Sequence, residues 1–328
     1  MALAGLALVV AACGGNSPAA GSSTATPASR SAAADATATP NTAVATPVAA
    51  TADAGTPATG PARGQGKVDV LYAGSLVNFM EHQVGPGFNQ ATGYTYEGFA
   101  GGSDGLAQQI KGKVRQGDVF LSASPSSDTK LEGQANGNWV GWYVTFATSP
   151  LVLAYNLQSS FASQFKTKPW WQVITEPGFR LGRTDPRVDP KGALTVQALD
   201  QAARANNDPA LAALATSTSN VFLEQDLVGR LQAGQLDAGF FYTVESATIK
   251  PALPTISLRP LNLSATYTIT VLQGAPNSAG AAAFVSYLLA PGERAALAAA
   301  GLQATPLKVS GDASAVPASL RPLLSGGQ

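Results

Sequence analysis

The stretch DVLYAGSLVN, residues 69–78, passes from a strand-like sequence to a helix-like one through two small residues and a serine. Residues 70–72 favour a strand, because β-branched and aromatic side chains pack well on a pleated surface. Gly74 allows the backbone to turn sharply, and Ser75 is a residue type that caps the start of a helix. The stretch therefore predicts a strand–turn–helix junction, where the unpaired N–H groups of the helix start favour an anion.

Two later stretches repeat this junction. FAGGSDG, residues 99–105, places Ser103 after a second strand-like run, and TDPRVDPKG, residues 184–192, ends in a Pro-Lys-Gly sequence. Because proline is favoured in the first turn of a helix, a helix is expected to begin there. In parallel α/β sheets such turns lie together at the carboxyl ends of the strands, where ligands bind. The three junctions are therefore predicted to face one small anion, although plain helix capping would explain each of them alone.

Strand-like and helix-like segments alternate along the chain. Runs rich in β-branched and aromatic residues predict strands at 68–72, 94–98, 119–122, 151–155, 238–242 and 267–272. Apolar residues at helical spacing predict helices at 76–90, 105–113, 193–205, 225–233, 279–289 and 292–299. This alternation predicts an α/β fold with mainly parallel sheets and helices on both faces.

The composition disfavours several functions. Lysine and arginine number 20 and aspartate and glutamate also number 20, so the formal net charge is zero, which argues against a nucleic-acid partner. A single histidine, His82, rules out a histidine-dependent triad or a multi-histidine metal site. No nucleophile–base pair and no phosphate-loop motif is present in the sequence. The sequence thus predicts a binding protein rather than an enzyme, and it predicts no cofactor.

The N-terminus has the form of a secretion signal. Residues 1–13, MALAGLALVVAAC, are a short apolar run that ends in small residues directly before a cysteine, as in a bacterial lipoprotein signal peptide. The run is too short to span a bilayer as a mature helix. Cys13 is the only cysteine, and it is predicted to be the site of lipid attachment. An ordinary apolar N-terminus with an incidental cysteine is the alternative.

Residues 14–66 are predicted to form a disordered tether. They consist mainly of Ala, Thr, Pro, Ser and Gly and show no hydrophobic period, so they have no means of forming a core. The folded body is expected to begin near Lys67, and it is long enough for one large or two medium α/β domains. A lipid anchor and a tether together predict an extracytoplasmic protein held at the cell membrane.

Seven segments form an ordered set along the folded body. They are AGSL at 73–76, GFAGGSDGLAQQI at 98–110, GDVFLSAS at 117–124, SPLVLAYN at 149–156, LGRTDPRVDPKG at 181–192, LEQDLVGRLQAGQLDAGFFY at 223–242 and FVSYLLAPGERAALAAAGLQ at 284–303. In this order they resemble the periplasmic molybdate/tungstate-binding proteins of ABC importers, and the resemblance spans residues 68 to 306. It implies a two-lobed periplasmic-binding-protein fold of type II that closes on an oxyanion.

The resemblance also implies how the chain is divided. Lobe 1 would comprise residues 67–147 and 266–328, and lobe 2 would comprise residues 148–265, so that the chain crosses the hinge twice. Ligand contacts from both lobes exist only in the closed form, so the ligand favours closure. A membrane permease and an ATPase would recognise the closed form, and the binding protein itself is expected to be a monomer.

The residues that bind the oxyanion follow from the same resemblance. The hydroxyl ligands of the family match Ser75 and Ser103. A main-chain N–H after the proline of the DPxG segment matches Lys191, and a phenolic donor matches Tyr242. A further position, at the start of the helix before that tyrosine, matches Glu224.

Two acids raise the question of how the ligand is held. In one branch of the family, carboxylates at the positions of Asp189 and Glu224 bind the metal centre of the oxyanion itself, and this chain has both acids but has Lys191 where that branch has a cysteine. A carboxylate beside a tetrahedral dianion is repulsive, unless it binds a metal that expands its coordination or accepts a proton from the anion. The alternative is that both acids point to solvent at helix N-termini, where they interact with the helix dipole.

The leading hypothesis is a lipid-anchored protein that captures molybdate or tungstate for an ABC importer. Phosphate or sulfate is the alternative ligand within the same class, and hydrogen phosphate is favoured if a carboxylate accepts its proton. A surface sensor that reuses the same fold is the alternative from another class.

Overall fold

The computed structural model describes residues 64–249 and 253–325, which belong to one compact unit. The predicted signal peptide at 1–13, the predicted lipid site Cys13 and residues 14–63 of the predicted tether lie outside these residues. The boundaries between the two lobes stay a prediction.

Nine strands occur in the described part of the chain. They are β1 (Lys67–Ala73), β2 (Thr95–Gly101), β3 (Val119–Ser122), β4 (Trp142–Tyr155), β5 (Leu181–Gly182), β6 (Ala238–Tyr242), β7 (Thr255–Ser257), β8 (Ser264–Val271) and β9 (Gln303–Gly311). Each of the six predicted strands overlaps one of these, and the predictions at 119–122 and 238–242 match in both bounds. The short strands β5 and β7, the first half of β4 and the proline-containing β9 were not predicted.

Twelve α-helices occur within residues 64–249 and 253–325. They are α1 (Val77–Phe79), α2 (Gly85–Thr92), α3 (Ser103–Lys111), α4 (Pro125–Thr129), α5 (Trp170–Val173), α6 (Pro190–Asn206), α7 (Pro209–Thr216), α8 (Glu224–Gln232), α9 (Thr243–Thr248), α10 (Ser278–Leu288), α11 (Pro291–Ala299) and α12 (Arg321–Ser325). All six predicted helices overlap members of this set. Four of the larger helices begin with or directly before a proline, whose missing N–H costs nothing in the first turn.

The predicted helix at 76–90 is divided into pieces. A 3-10 turn (Gly74–Leu76) leads into α1, a π-helical turn (Met80–Val84) follows, and α2 completes the segment. Pro86 has no N–H to continue the helical hydrogen-bond ladder. The wider turn before it accommodates that missing bond.

The strands form one path of hydrogen-bonded neighbours in the order β2-β1-β3-β8-β4-β6-β5, with β7 and β9 also paired to β4. Strands β1, β2 and β3 are parallel, with β1 between the other two. Strand β4 links the two ends of the path: its first half pairs with β8 and β9, and residues Leu151 to Tyr155 pair with β6 and β7.

The α/β fold is confirmed, but parallel strand pairs do not form the majority that the sequence predicted. Among the strand pairs that the structure describes, three are parallel and five are antiparallel. The antiparallel pairs involve β4 or β8, the two strands that run between the β1–β3 group and the β5–β6 group. Local βα alternation predicts parallel neighbours, but it contains no information on long strands that return across the sheet.

The largest hydrophobic core includes apolar residues from both halves of β4 together with side chains of β1, β6 and β8. There are two smaller clusters, one around Leu106 and Phe120 and the other around Leu227 and Phe241. None of the helices in the described ranges has the length and apolar character needed to cross a bilayer.

Candidate functional site

Two of the predicted junctions lie side by side at the same edge of the sheet. The parallel register pairs Ala73 at the end of β1 with Gly101 at the end of β2. Ser75 and Ser103 each follow two residues later, and only 3% and 1% of their surfaces are exposed. The carboxyl ends of these parallel strands therefore place both serines at the same edge of the sheet.

Neither serine caps its helix, so plain capping is the wrong explanation for these two junctions. Ser75 Oγ is hydrogen-bonded to the hydroxyl of Tyr267 at 2.9 Å. Ser103 Oγ accepts a hydrogen bond from the Ala123 N–H at 3.0 Å. That contact uses Ser103 as an acceptor and leaves its hydroxyl proton to be donated.

The third junction begins α6 with a capping aspartate. Asp189 Oδ1 accepts a hydrogen bond from the Lys191 N–H at 2.8 Å, so the main-chain donor predicted for the ligand is bonded to this acid here. Asp189 Oδ2 is buried and makes no hydrogen bond of ordinary geometry with the described residues, although the nearby Thr184 hydroxyl acts to lower the pKa of this acid. Asp189 and Glu224 are only 4% and 8% exposed. The alternative in which both acids point to solvent is therefore wrong.

The side chain of Lys191 is a feature that sequence reasoning missed. It is fully buried, and Nζ lies 2.6 Å from Glu245 Oε1 and 3.1 Å from Glu224 Oε1. Glu245 Oε2 accepts a hydrogen bond from the Tyr242 N–H at 2.8 Å. A glutamate three residues beyond the end of β6 is a helix N-terminal signal, but nothing local indicates a lysine from another junction as its partner.

Two tyrosines complete the cluster. Tyr242 is fully buried at the end of β6, and its hydroxyl has no hydrogen-bond partner among the described residues. Tyr267 on β8 is also fully buried, and its ring packs edge-on against that of Tyr242 at a centroid distance of 6.3 Å. The sequence predicted Tyr242 but not Tyr267, whose position depends on the long-range pairing of β8.

Burial controls the acid–base properties of the cluster. Burial raises the pKa values of Asp189, Glu224 and Glu245 above their usual range, and in each case the charge of Lys191 opposes the rise. For Lys191 itself burial lowers the pKa, but the nearby carboxylates outweigh that effect, and the pKa is raised. Burial also raises the pKa of Tyr242 well above its usual value, which keeps the phenol a hydrogen-bond donor.

Glycines allow the junctions to approach each other. A Cβ atom at Gly74 would lie 2.2 Å from Glu224 Oε2, and one at Gly102 would lie 2.4 Å from the carbonyl oxygen of Val188. That same carbonyl accepts a hydrogen bond from the Gly105 N–H at 2.9 Å. Gly102 is thus required by a close contact with the backbone of another segment, whereas Gly74 lies against the end of a side chain.

This arrangement defines a class of site. The buried hydroxyls of Ser75 and Ser103 lie just after β1 and β2, where the neighbouring Gly74 lies against Glu224 and Gly102 lies against the segment of Val188 and Asp189. The ammonium of Lys191 contacts the same Glu224. Such a set of convergent polar groups suits a small, charged and hydrogen-bonding guest.

The chain belongs to the family of bacterial extracellular solute-binding proteins, which matches residues 68–303. Because the family consists of solute-binding proteins, the prediction that the chain is not an enzyme is confirmed.

Relatives support the predicted resemblance. A putative ABC transporter molybdenum-binding protein from Haloferax volcanii is 32% identical over 228 residues, which are 69% of this chain and 67% of that protein. The molybdate/tungstate-binding protein WtpA from Pyrococcus abyssi is 24% identical over 282 residues, with coverage of 68% of this chain and 80% of that protein. The predicted similarity to this group is confirmed.

The fold has a clear counterpart among solved structures. The periplasmic molybdate-binding protein of Azotobacter vinelandii matches with a TM-score of 0.59 and 20% identity, covering 72% of this chain and 98% of that one. The predicted periplasmic-binding-protein fold is therefore confirmed, with the correction to strand direction given above.

Proposed function

We propose that the protein is an extracytoplasmic, lipid-anchored binding protein that captures molybdate or tungstate and delivers it to an ABC importer. The ligand would lie among Ser75, Ser103, Asp189, Glu224 and Tyr242. The names of the relatives from Haloferax volcanii and Pyrococcus abyssi support this ligand class. A permease and an ATPase are the expected partners.

One observation carries the proposal: two buried polar atoms that make no hydrogen bond of ordinary geometry with the described residues, Asp189 Oδ2 and the Tyr242 hydroxyl, belong to residues that both lie beside Lys191. A buried polar group without a partner costs about 1–3 kcal/mol. A guest whose oxygens accept a hydrogen bond from the phenol, and whose central atom is electrophilic enough to bind the carboxylate, would satisfy both groups. The hydroxyl proton of Ser103 would add a further donor.

The acids support molybdate or tungstate over other oxyanions. A carboxylate close to a tetrahedral dianion is repelled by it. Molybdenum and tungsten centres expand their coordination and accept carboxylate oxygens, which converts the repulsion into a bond. The burial of Asp189 and Glu224 favours this mode, because neither acid is solvated as a surface residue would be.

Hydrogen phosphate is the second candidate ligand. The unpaired Asp189 Oδ2 is an acceptor, and an anion that carries a proton could donate to it. Sulfate carries no proton at neutral pH and would meet only the repulsion, so it ranks behind phosphate.

Calorimetry on the purified protein tests the proposal. Tungstate and molybdate are expected to bind much more tightly than phosphate and sulfate at neutral pH. Tight phosphate binding with weak tungstate binding would show that phosphate is the ligand instead. If none of the four anions binds, the proposal of an oxyanion ligand is wrong.

Transport and anchoring have separate tests. Cys13→Ser is expected to release the protein from the membrane fraction, measured by immunoblotting after fractionation. Genes for a permease and an ATPase beside this gene would support import, whereas a neighbouring signalling receptor would favour the sensor alternative.

A further inference from the structure

Lys191 places an ammonium group inside the site. Its side chain is fully buried, and Nζ contacts Glu224 at 3.1 Å and Glu245 at 2.6 Å. Glu224 is the first residue of α8, and Glu245 lies in the first turn of α9. Lysine is almost never fully buried unless its charge is paired. The ammonium therefore ties three helix starts together at one point.

The two acids that hold Lys191 are not equivalent. Both oxygens of Glu245 are used within the protein, because Oε1 accepts from Lys191 and Oε2 accepts from the Tyr242 N–H. Glu224 contacts the ammonium through Oε1, while its Oε2 lies against Gly74, 2.2 Å from the position of a Cβ atom. Glu245 thus anchors the ammonium, whereas Glu224 keeps one oxygen beside the junction that carries Ser75.

The balance of charge shows why a cation is needed here. Asp189, Glu224 and Glu245 are three buried acids beside one buried base, so the cluster carries a net negative charge whenever two or more of the acids are ionised. A divalent oxyanion brings more negative charge to within a few ångströms. Like charges repel strongly where water is excluded, and the ammonium is the cation that the cluster itself supplies.

We propose that Lys191 is the specificity-determining residue that allows a divalent oxyanion to bind beside Asp189 and Glu224. This inference rests on the proposed function, because it concerns the same site and the same class of ligand. The ammonium compensates the acids, and it holds Glu224 Oε1 so that Oε2 is the oxygen presented to the ligand.

Two substitutions separate this electrostatic role from a structural one. Lys191→Met removes the ammonium, and it is expected to weaken tungstate binding at least ~100-fold, measured by calorimetry on protein that still unfolds cooperatively. Glu245→Gln removes one negative charge, and its side-chain oxygen can still accept from the Lys191 ammonium, but its amide group cannot accept from the Tyr242 N–H. The variant is therefore expected to lose stability and yet to bind tungstate about tenfold more tightly. Equal losses in both variants would overturn the inference, because they would mean that the ion pair only holds the fold.

The charge of the ligand provides a second test. Perrhenate is a tetrahedral oxyanion of nearly the size of tungstate, but it carries a single negative charge. Lys191→Met should lower the preference for tungstate over perrhenate at least ~10-fold, and Lys191→Arg should retain the preference. An undiminished preference in Lys191→Met would also overturn the inference.

These outcomes are distinguishable from failure of the proposed function. If the wild-type protein binds neither tungstate nor molybdate, the proposed function fails and the inference falls with it. If the wild type binds tungstate and Lys191→Met binds it equally tightly, only the role of Lys191 is wrong. Should Lys191→Met not fold, the same change is made in the Glu245→Gln background, and the expected loss is measured against Glu245→Gln alone.

Discussion

Two buried clusters of polar side chains differ in how their acids are stabilised. Asp128 is fully buried, and its Oδ2 accepts hydrogen bonds from the hydroxyls of Ser122 at 2.9 Å and Thr268 at 2.6 Å. Glu245 is also buried, but its partner is the ammonium of Lys191 at 2.6 Å. The first cluster offers its acid neutral donors, and the second offers a cation.

This difference decides what each cluster does. With neutral donors, burial dominates and raises the pKa of Asp128 to about 7. An unpaired atom alone does not distinguish a ligand site, since Asp128 Oδ1 lacks a partner as well. The second cluster is set apart because its unpaired acceptor on Asp189 and unpaired donor on Tyr242 lie with an ammonium. Convergence of complementary groups, rather than burial, indicates the ligand site.

The largest expected effect concerns the first cluster and its protonation. Burial raises the pKa of Asp128 from 3.8 to about 7, so the folded protein holds this proton more tightly than the unfolded chain. The stabilisation is complete below pH 3.8 and is lost as the pH rises toward 7. In the wild type the free energy of unfolding should fall by about 4 kcal/mol over that range. Asp128→Asn should abolish this fall, as measured by urea unfolding at each pH. If the free energy of unfolding changes with pH in the same way in the variant and the wild type, the Asp128 carboxyl does not hold a proton in the folded protein.

The second cluster depends on two distant segments meeting closely. A Cβ atom at Gly102 would lie 2.4 Å from the Val188 carbonyl oxygen, whereas one at Gly105 would lie 3.5 Å from the nearest atom of Val188. Gly102→Ala should therefore weaken tungstate binding ~100-fold, which is about 2.7 kcal/mol, as measured by calorimetry. Gly105→Ala is the matched control, with an expected change below about threefold. Equal effects at both glycines would show that the close approach at Gly102 is not required.

Two capping aspartates allow the roles of Asp189 to be separated. Asp189 accepts from the Lys191 N–H at 2.8 Å, and Asp208 accepts from the Ala210 N–H at 2.9 Å, each just before a proline-started helix. Replacement of either by alanine should lower the free energy of unfolding by about 1 kcal/mol. Only Asp189→Ala should also weaken tungstate binding, ~30-fold or about 2 kcal/mol. Unchanged tungstate affinity in Asp189→Ala would remove the acid from the proposed site.

The smallest expected effect concerns the unpaired phenol. Tyr242→Phe removes a buried hydroxyl that has no partner among the described residues, so the free protein should not be destabilised. Tungstate binding should weaken about tenfold, or about 1.4 kcal/mol. Tyr267→Phe is the control, because it breaks the bond to Ser75 and should lower the free energy of unfolding by about 1 kcal/mol. A loss of stability in Tyr242→Phe as large as that in Tyr267→Phe would mean that the phenol serves the fold.

Sequence patterns were sufficient where the relevant signal is local. Ser75 and Ser103 each come a few positions after a strand and next to small residues, and Pro190 marks the first turn of α6. The parallel pairing of β1 with β2 follows from the same local alternation. The direction of β8 and β9 was not predictable in this way, because it depends on how β4 returns across the sheet.

The side-chain partners of the site were beyond local inference. The family resemblance implied a role for the main-chain N–H of Lys191, but it did not indicate that the ammonium reaches Glu245, 54 residues further along the chain. Tyr267 meets Ser75 across 192 residues. Neither contact leaves a signal in the spacing of nearby residues.

By itself, the sequence determined the class of fold, the helix starts and the hydroxyls at the ends of two strands, because propensity, capping and periodicity act over a few residues. The tertiary structure alone decided that Asp189 and Glu224 are buried and that Lys191 stands between Glu224 and Glu245. The physical reason is that burial and ion pairing depend on which distant segments share a volume from which water is excluded.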